Sequence, residues 1–477
     1  MTATLQSPHS AGRYRSGSAA AWVAMAAVIA VAASREVWPS PPPALNTAPA
    51  RIVLGWAGDP STSQAVTWRT ADAVASPQAQ IGLATAGCSG TTGPPQTVTA
   101  APRTVKLGKG RTVTHYKTEF TGLTPSTRYA YRVGSGSSFS NWHCFITAST
   151  TAAPFRFIYL GDAQNGLEKK WPPVVRAAFA AAPDARFVAH AGDLVGEGDD
   201  DTQWGEWLAG LGARAAETPG VPAPGNHDFY RSIFSVIGGT VFTAPNLWNA
   251  HFALPANGPP DLPELAGQNY YLDYQGVRIV ALDVNAFAND AFKASARSRV
   301  RAAQVKWLRR VLGMNPQRWT VVVQHHPMYS VVKRRDFKAM RAALGPLYDE
   351  FRVDLVLQGH DHAYARTHKV FDGQLADPEA PGTVYATSVS GSKMYAITTR
   401  WPPLMATLQQ DAQLYQVVSV TGDRLHYESR GVGGGLVDAF ELVKAGGPAS
   451  SYVDQAPRVT PGDRLKSPQP IGAAPRR

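Results

Sequence analysis

The chain has 477 residues, room for two or three domains and a sizeable core. Hydrophobic residues make up 44% and charged residues 17%, which sets aside a wholly disordered chain. Lys and Arg number 46 against 35 Asp and Glu, a formal charge of +11; no basic block is interleaved with aromatics, so nucleic acid is not a partner, and the excess reads as a solvated basic surface or as a field that steers anionic substrates.

Arg13 and Arg15 precede an apolar run at 19–33 that ends in Ala30-Val31-Ala32. The run is shorter than the roughly 20 residues a membrane span needs. Residues 1–34 therefore read as a secretory signal, with an uncleaved N-terminal anchor as the other reading and no further membrane partner. Either reading puts the protein in the periplasm, at the cell surface or in the medium. Residues 35–50, with Pro39 and Pro41-Pro42-Pro43, read as an extended linker.

Residues 51–150 read as all-β. Short strands at 51–56 and 64–68 are split by Gly58-Asp59-Pro60, and 116–120 and 129–133 alternate apolar with polar residues. Strands at this spacing predict a sandwich. Both cysteines, Cys88 and Cys144, fall here. In an exported chain, two cysteines in one small domain favour a disulfide; the sequence does not show their Cα atoms to be within reach.

From 154 to 445 strands alternate with helices, an α/β sandwich pattern. Helices are predicted at 172–179, opened by Pro172-Pro173, and at 204–217, 299–312 and 337–352, with Trp204 and Trp307 as packing residues. Strands at 383–389, 414–420 and 424–428 are expected to complete the second sheet. Residues 446–477, rich in Pro, Gly, Ser and Ala, read as a disordered tail. No internal repeat is evident.

Five short motifs each follow a predicted strand: Gly161-Asp162, Gly192-Asp193, Gly225-Asn226-His227-Asp228, His325-His326-Pro327 and Gly359-His360-Asp361-His362. Strand ends that each deliver Asp, Asn or His predict one site on the rim of a sheet. These side chains offer oxygen and nitrogen to hard or borderline ions, and this half of the chain has no cysteine for a thiolate site. One carboxylate has two oxygens and can bridge two ions. Ions about 3.5–4 Å apart clamp both oxygens of an in-line displacement at phosphorus.

In this order the motifs resemble the calcineurin-like metallophosphoesterases, and within them most the purple acid phosphatase branch, over about residues 51–444. Leu123-x-Pro125-x-Thr127-x-Tyr129-x-Tyr131 resembles a fibronectin type III domain. The resemblance implies a four-layer α/β/β/α sandwich preceded by a small all-β sandwich. It implies Asp162, Asp193 and His362 on a first ion, and Asn226, His325 and His360 on a second, with Asp193 bridging. The ions would be iron with zinc, manganese or a second iron. A metal-bound hydroxide would attack a small phosphate ester, with His227 as general acid. Monoesters come first, with diesters and nucleotides as the alternative.

Several residues carry two readings. Asp228 orients His227 or caps a helix. His326 lines the substrate pocket or acts in catalysis, and Arg366 grips phosphate through its planar fork or forms a structural ion pair. The run at 199–201 reads as a solvated loop, Gly391-Ser392-Lys393 as a substrate-facing loop or a plain turn, Asp283 as a rim residue and Asn285 as a pocket residue. The N-terminal sandwich shapes a cleft wall, docks a partner or is a spacer.

Two positions depart from the purple branch. Its tyrosine, three residues after the bridging aspartate, is here Gly196; Gln164 stands where that branch has glycine and many relatives have histidine. The chain is therefore expected not to be purple, with water or Gln164 completing the first site. A surface binding protein with a vestigial metal domain is the reading from another class. Retention of the whole motif set speaks against it.

Overall fold

The computed structural model describes residues 47–107, 110–229, 247–288, 294–398 and 401–457. The predicted signal or anchor, most of the linker and the end of the tail lie outside these residues.

Alternation along strand Arg128–Ser135 puts Tyr129, Tyr131 and Val133 on one buried face. They meet Leu54, Val66, Trp68, Tyr116 and Phe120. One antiparallel sheet runs in the order Ala50–Gly55, Gln64–Thr70, Thr112–Phe120, Ala101–Lys106; the other is built around Gln78–Leu83 and Arg128–Ser135. Cys88 and Cys144 form a disulfide with Cα atoms 5.9 Å apart, across a sequence separation of 56. Loop-closure entropy puts its stabilisation at about 4 kcal/mol. The Cys88→Ser/Cys144→Ser chain is expected to lose stability of that order in urea; a midpoint equal to the parent's would count against it.

This sandwich packs directly on the rest of the chain. Val53, Trp56, Val105 and Val113 join the same core cluster as residues of the 154–445 domain. The Trp56 ring lies 5.9 Å from Phe187 and 5.4 Å from Tyr274. Tyr131 donates to the Ala216 carbonyl at 2.6 Å. Arg51 and Arg69 both pair with Asp201, at 2.6 and 2.7 Å. The 199–201 run is thus not a solvated loop: Asp201 ties the two domains, and Asp200 caps helix Asp201–Leu211.

The larger domain stacks two seven-stranded sheets. In the first, Phe155–Leu160, Val188–Ala191 and Gly220–Ala223 are parallel neighbours. In the second, Val277–Leu282, Trp319–Gln324, Leu355–Gln358 and Val384–Thr387 are parallel. Period-two alternation sorts the second sheet: Ile279, Val321 and Leu355 enter the cluster shared with the first sheet, while Val280, Val322 and Val356 pack on Trp307, Leu308 and Leu344 of helices Ala294–Gly313 and Lys338–Glu350. Helices Trp171–Ala181 and Asp201–Leu211 supply Val174, Phe179, Trp204 and Trp207 to the first core. The layers are α/β/β/α.

The structure corrects three sequence expectations. The helix predicted at 204–217 breaks after Leu211, where Gly212 takes a φ of 58°, and resumes at Arg214–Glu217. Strands Leu414–Thr421 and Arg424–Gly431 extend the first sheet, because Leu414–Thr421 pairs with Phe155–Leu160. The tail expected to be disordered from 446 contains strand Ser451–Asp454, paired with Leu436–Val443. A single aromatic anchors it, the buried Tyr452 against Phe440, too little apolar pattern to read beforehand.

Candidate metal centre

Parallel strands end on the same edge, so their following loops converge. Two glycines permit the approach. A Cβ on Gly192 would lie 2.6 Å from His325 Nδ1, and one on Gly359 2.6 Å from Asp162 Oδ2. Asp162, Asp193, His360 and His362 all hold positive φ, at 53°, 53°, 75° and 47°. Strained non-glycine backbone of this kind concentrates at functional sites.

Two groups of donor atoms result, Asp162/Asp193/His362 and Asp193/His325/His360, each within 4.8 Å and sharing Asp193. Asn226 Oδ1 lies 3.2 Å from His325 Nε2, which in turn is 3.2 Å from His360 Nδ1. His362 Nε2 is 3.6 Å from Asp162 Oδ1. The ring orientations are set from behind. His325 Nδ1 donates to the Ala191 carbonyl at 2.8 Å and His362 Nδ1 to the Lys393 carbonyl at 3.0 Å, so both present Nε2 to the cluster. The 391–393 loop therefore abuts the site.

The carboxylates are buried. Asp162 Oδ2 accepts from the His360 amide at 2.6 Å, while its Oδ1 is buried without a hydrogen-bond partner. Asp193 Oδ1 accepts from the His227 amide at 2.8 Å and Oδ2 from Gln164 at 2.7 Å. Burial raises the Asp162 carboxyl well above its usual range. Burial would do the same to Asp193, but the His325 imidazole 3.2 Å away brings it below that range. Against its own burial, His325 is pushed up to about 9 by Asp193 and Asp162. Burial takes His362 down to about 3 and His360 well below the ordinary imidazole range. An unpartnered carboxylate oxygen and convergent nitrogen and oxygen donors fit two metal ions.

Two expected roles change and a third residue's two readings are decided. Asp228 accepts from the amides of Gly225, Asp193 and Leu194 at 2.8, 2.9 and 3.0 Å, so it ties two ligand loops together. The His227 ring is instead held by the Gly196 carbonyl, 2.8 Å from Nδ1. His326 is only 3% exposed, its ring 4.2 Å from His360 and 5.1 Å from Phe337, so it backs His360 rather than lining an open pocket. Arg366 takes the ion-pair reading and not the phosphate grip: it is fully buried and bonded to Asp438 at 2.6 and 2.7 Å and Asp454 at 3.0 Å. At about 3.3 Å per residue, strand Tyr364–Thr367 has carried it away from the rim.

Asp283 and Asn285 are buried and bond each other behind Gly225. The sequence reading missed Asp361. Between the two histidines, it accepts from Ser330 Oγ at 2.9 Å and the Val331 amide at 2.8 Å, with Arg335 at 3.2 Å. Its place inside the motif was visible; its partners some 30 residues upstream were not.

Comparison with known proteins agrees with this build. Residues 155–364 match the calcineurin-like phosphoesterase family and residues 49–147 the purple acid phosphatase N-terminal domain. Residues 155–364 thus carry a calcineurin-like phosphoesterase domain, and this fold implies a dinuclear metal centre. The chain's particular build, with that N-terminal domain in front, is purple acid phosphatase-like. An uncharacterised protein of Mycobacterium tuberculosis is 26% identical over 362 residues, 67% of this chain and 62% of that protein. Acid phosphatase type 7 of Homo sapiens is 25% identical, over 69% of this chain and 73% of that protein. The structure of a purple acid phosphatase from yellow lupin (Lupinus luteus) seeds superposes with a TM-score of 0.65 at 18% identity, covering 83% of this chain and 74% of that one. The chain spans about three fifths of the length of the first of these relatives.

Proposed function

We propose that the chain is an exported, metal-dependent phosphoric ester hydrolase, an acid phosphatase that acts first on small monoesters. One observation carries the reading: Asp193 is common to two donor groups and also holds the His227 backbone. Asp162, Asp193 and His362 would hold one ion, and Asp193, Asn226, His325 and His360 the other, the pair being drawn from iron, zinc and manganese. Bound ions would supply Lewis-acid polarisation of the phosphoryl group and an acidified water.

The chain's own residues do the rest. His227 donates through Nδ1 to the Gly196 carbonyl, which fixes the ring and assigns proton transfer toward the leaving oxygen to Nε2. Asp228 keeps the loops of Asp193 and Asn226 in register through backbone amides. The human relative's name, acid phosphatase, supports the same activity. Export rests on the charged and apolar composition of residues 1–34.

The test pairs metal content with substrate preference. Elemental mass spectrometry on unchelated protein is expected to find about two ions per chain, as a two-metal site requires. An aryl phosphate monoester should be cleaved faster than the diester. A strong diester preference would replace monoesterase by diesterase. A chain that takes up no metal on reconstitution would sink the hydrolase and leave a surface binding protein.

A further inference from the structure

We propose that His115 and His251 form an acid-sensitive lock in the joint between the two domains: while both rings are neutral the joint stays shut, and a proton on either one works to open it. Neither residue belongs to the ligand set of the metal centre.

His115 lies on strand Thr112–Phe120 of the smaller domain, and His251 ends helix Trp248–His251 of the larger one. They are 2% and 1% exposed, and their rings meet edge to face with centroids 4.9 Å apart. His251 Nδ1 donates to the Leu247 carbonyl at 2.8 Å, and His115 bonds the Ala250 backbone. Nε2 of each ring has no hydrogen-bond partner among the described residues. Each neutral imidazole therefore keeps a lone pair on Nε2, and a proton placed there makes a buried N–H with no acceptor. His251 also fastens the joint by other atoms. Its carbonyl accepts from Thr67 Oγ at 2.6 Å, and its ring stacks on Trp204 with centroids 5.0 Å apart.

The charges around the pair already lean positive. Arg51 and Arg69, on strands Ala50–Gly55 and Gln64–Thr70, both pair with Asp201 of helix Asp201–Leu211. Arg103 and Lys117 line the same cleft as His115. What favours a charged ring is Asp201, already shared by two arginines, Asp200 beside it, and the face of Trp204. Burial, with Arg69 and Arg51, takes His115 down to about 3. Burial, with His115 and Arg51, holds His251 well below the ordinary imidazole range. In the unfolded chain both rings titrate near the reference value of about 6.5. Below that pH the unfolded chain takes up two protons that the closed joint refuses. Stability therefore falls as the pH drops, by about 10-fold in the folding equilibrium per histidine for each pH unit, until the folded rings themselves take up protons.

The test is urea denaturation of the full chain, at equal metal content, at about pH 7.5 and about pH 5. His115→Phe combined with His251→Phe keeps both rings and removes the titrating nitrogens. Between those pH values the parent is expected to lose about 1,000-fold more of its folding equilibrium than this double variant, about 30-fold for each histidine. The comparison cancels the acid loss of the metal-ligating histidines, which both chains share. His115→Gln and His251→Gln, made singly, should each remove about half of the extra loss on a logarithmic scale, and they decide the matter if the double variant does not fold. Parent and variants whose stabilities fall in parallel over this range would overturn the proposal. The readout needs no substrate, so a chain without phosphatase activity would count against the proposed function and not against the lock.

Discussion

Asp193→Asn is expected to weaken metal binding more than about 100-fold and to take ester hydrolysis below detection. Loss of an outer hydrogen-bond partner alone costs about 10–100-fold in metal affinity, and Asp193 belongs to both donor groups. The substitution is nearly isosteric. Its remaining oxygen can still accept from the His227 amide, which lies 2.8 Å from Asp193 Oδ1. What it removes is one anionic oxygen, the one 2.7 Å from Gln164 and 3.2 Å from His325. Metal content after equilibrium dialysis is the direct readout. Asp193→Asn protein that retains two ions at the parent's affinity would show that the carboxylate is not shared.

The second large effect lies far from the rim. Arg366→Ala is expected to destabilise the fold by about 3–5 kcal/mol, the cost of leaving a buried charge without its partner. Arg366 and Asp438 are both fully buried, and Asp438 also accepts from Tyr364 at 2.6 Å and Thr407 at 2.9 Å. Arg366→Met combined with Asp438→Leu should recover much of that loss, because no charge is then stranded. Chemical denaturation of the parent and the two variants measures it. The double variant should also keep the parent's KM for an aryl phosphate. A KM raised many-fold in a stably folded double variant would return Arg366 to the substrate site.

What could be read beforehand followed from locality. The donor motifs were legible because each sits within a few residues of a strand's end, and a strand needs only a short apolar run to announce itself. The β-then-α/β division was legible for the same reason. Long-range partners were not. Nothing in Arg366 indicates that its counter-ion lies 72 positions on, or in Asp201 that it joins Arg51, 150 positions earlier. Asp228 was misread because a carboxylate beside a histidine suggests a pair, while the loops that present the Asp193, Leu194 and Gly225 amides to it are invisible until the strands are aligned. Gln164 could be read as a departure and as one of two candidates to complete the first site, but not placed. Its placement against Asp193 and His362 required two loops almost 200 residues apart to be brought together.

The apolar seam between the two domains has a consequence for how the protein comes apart. Trp56 on one side and Phe187 and Tyr274 on the other belong to one cluster, and Asp201 is clasped by two arginines from the smaller domain. Neither half can detach without exposing that seam to water and leaving charges unpaired. The two domains are therefore expected to melt as a single cooperative unit, the smaller one behaving thermodynamically as part of the larger one's interior.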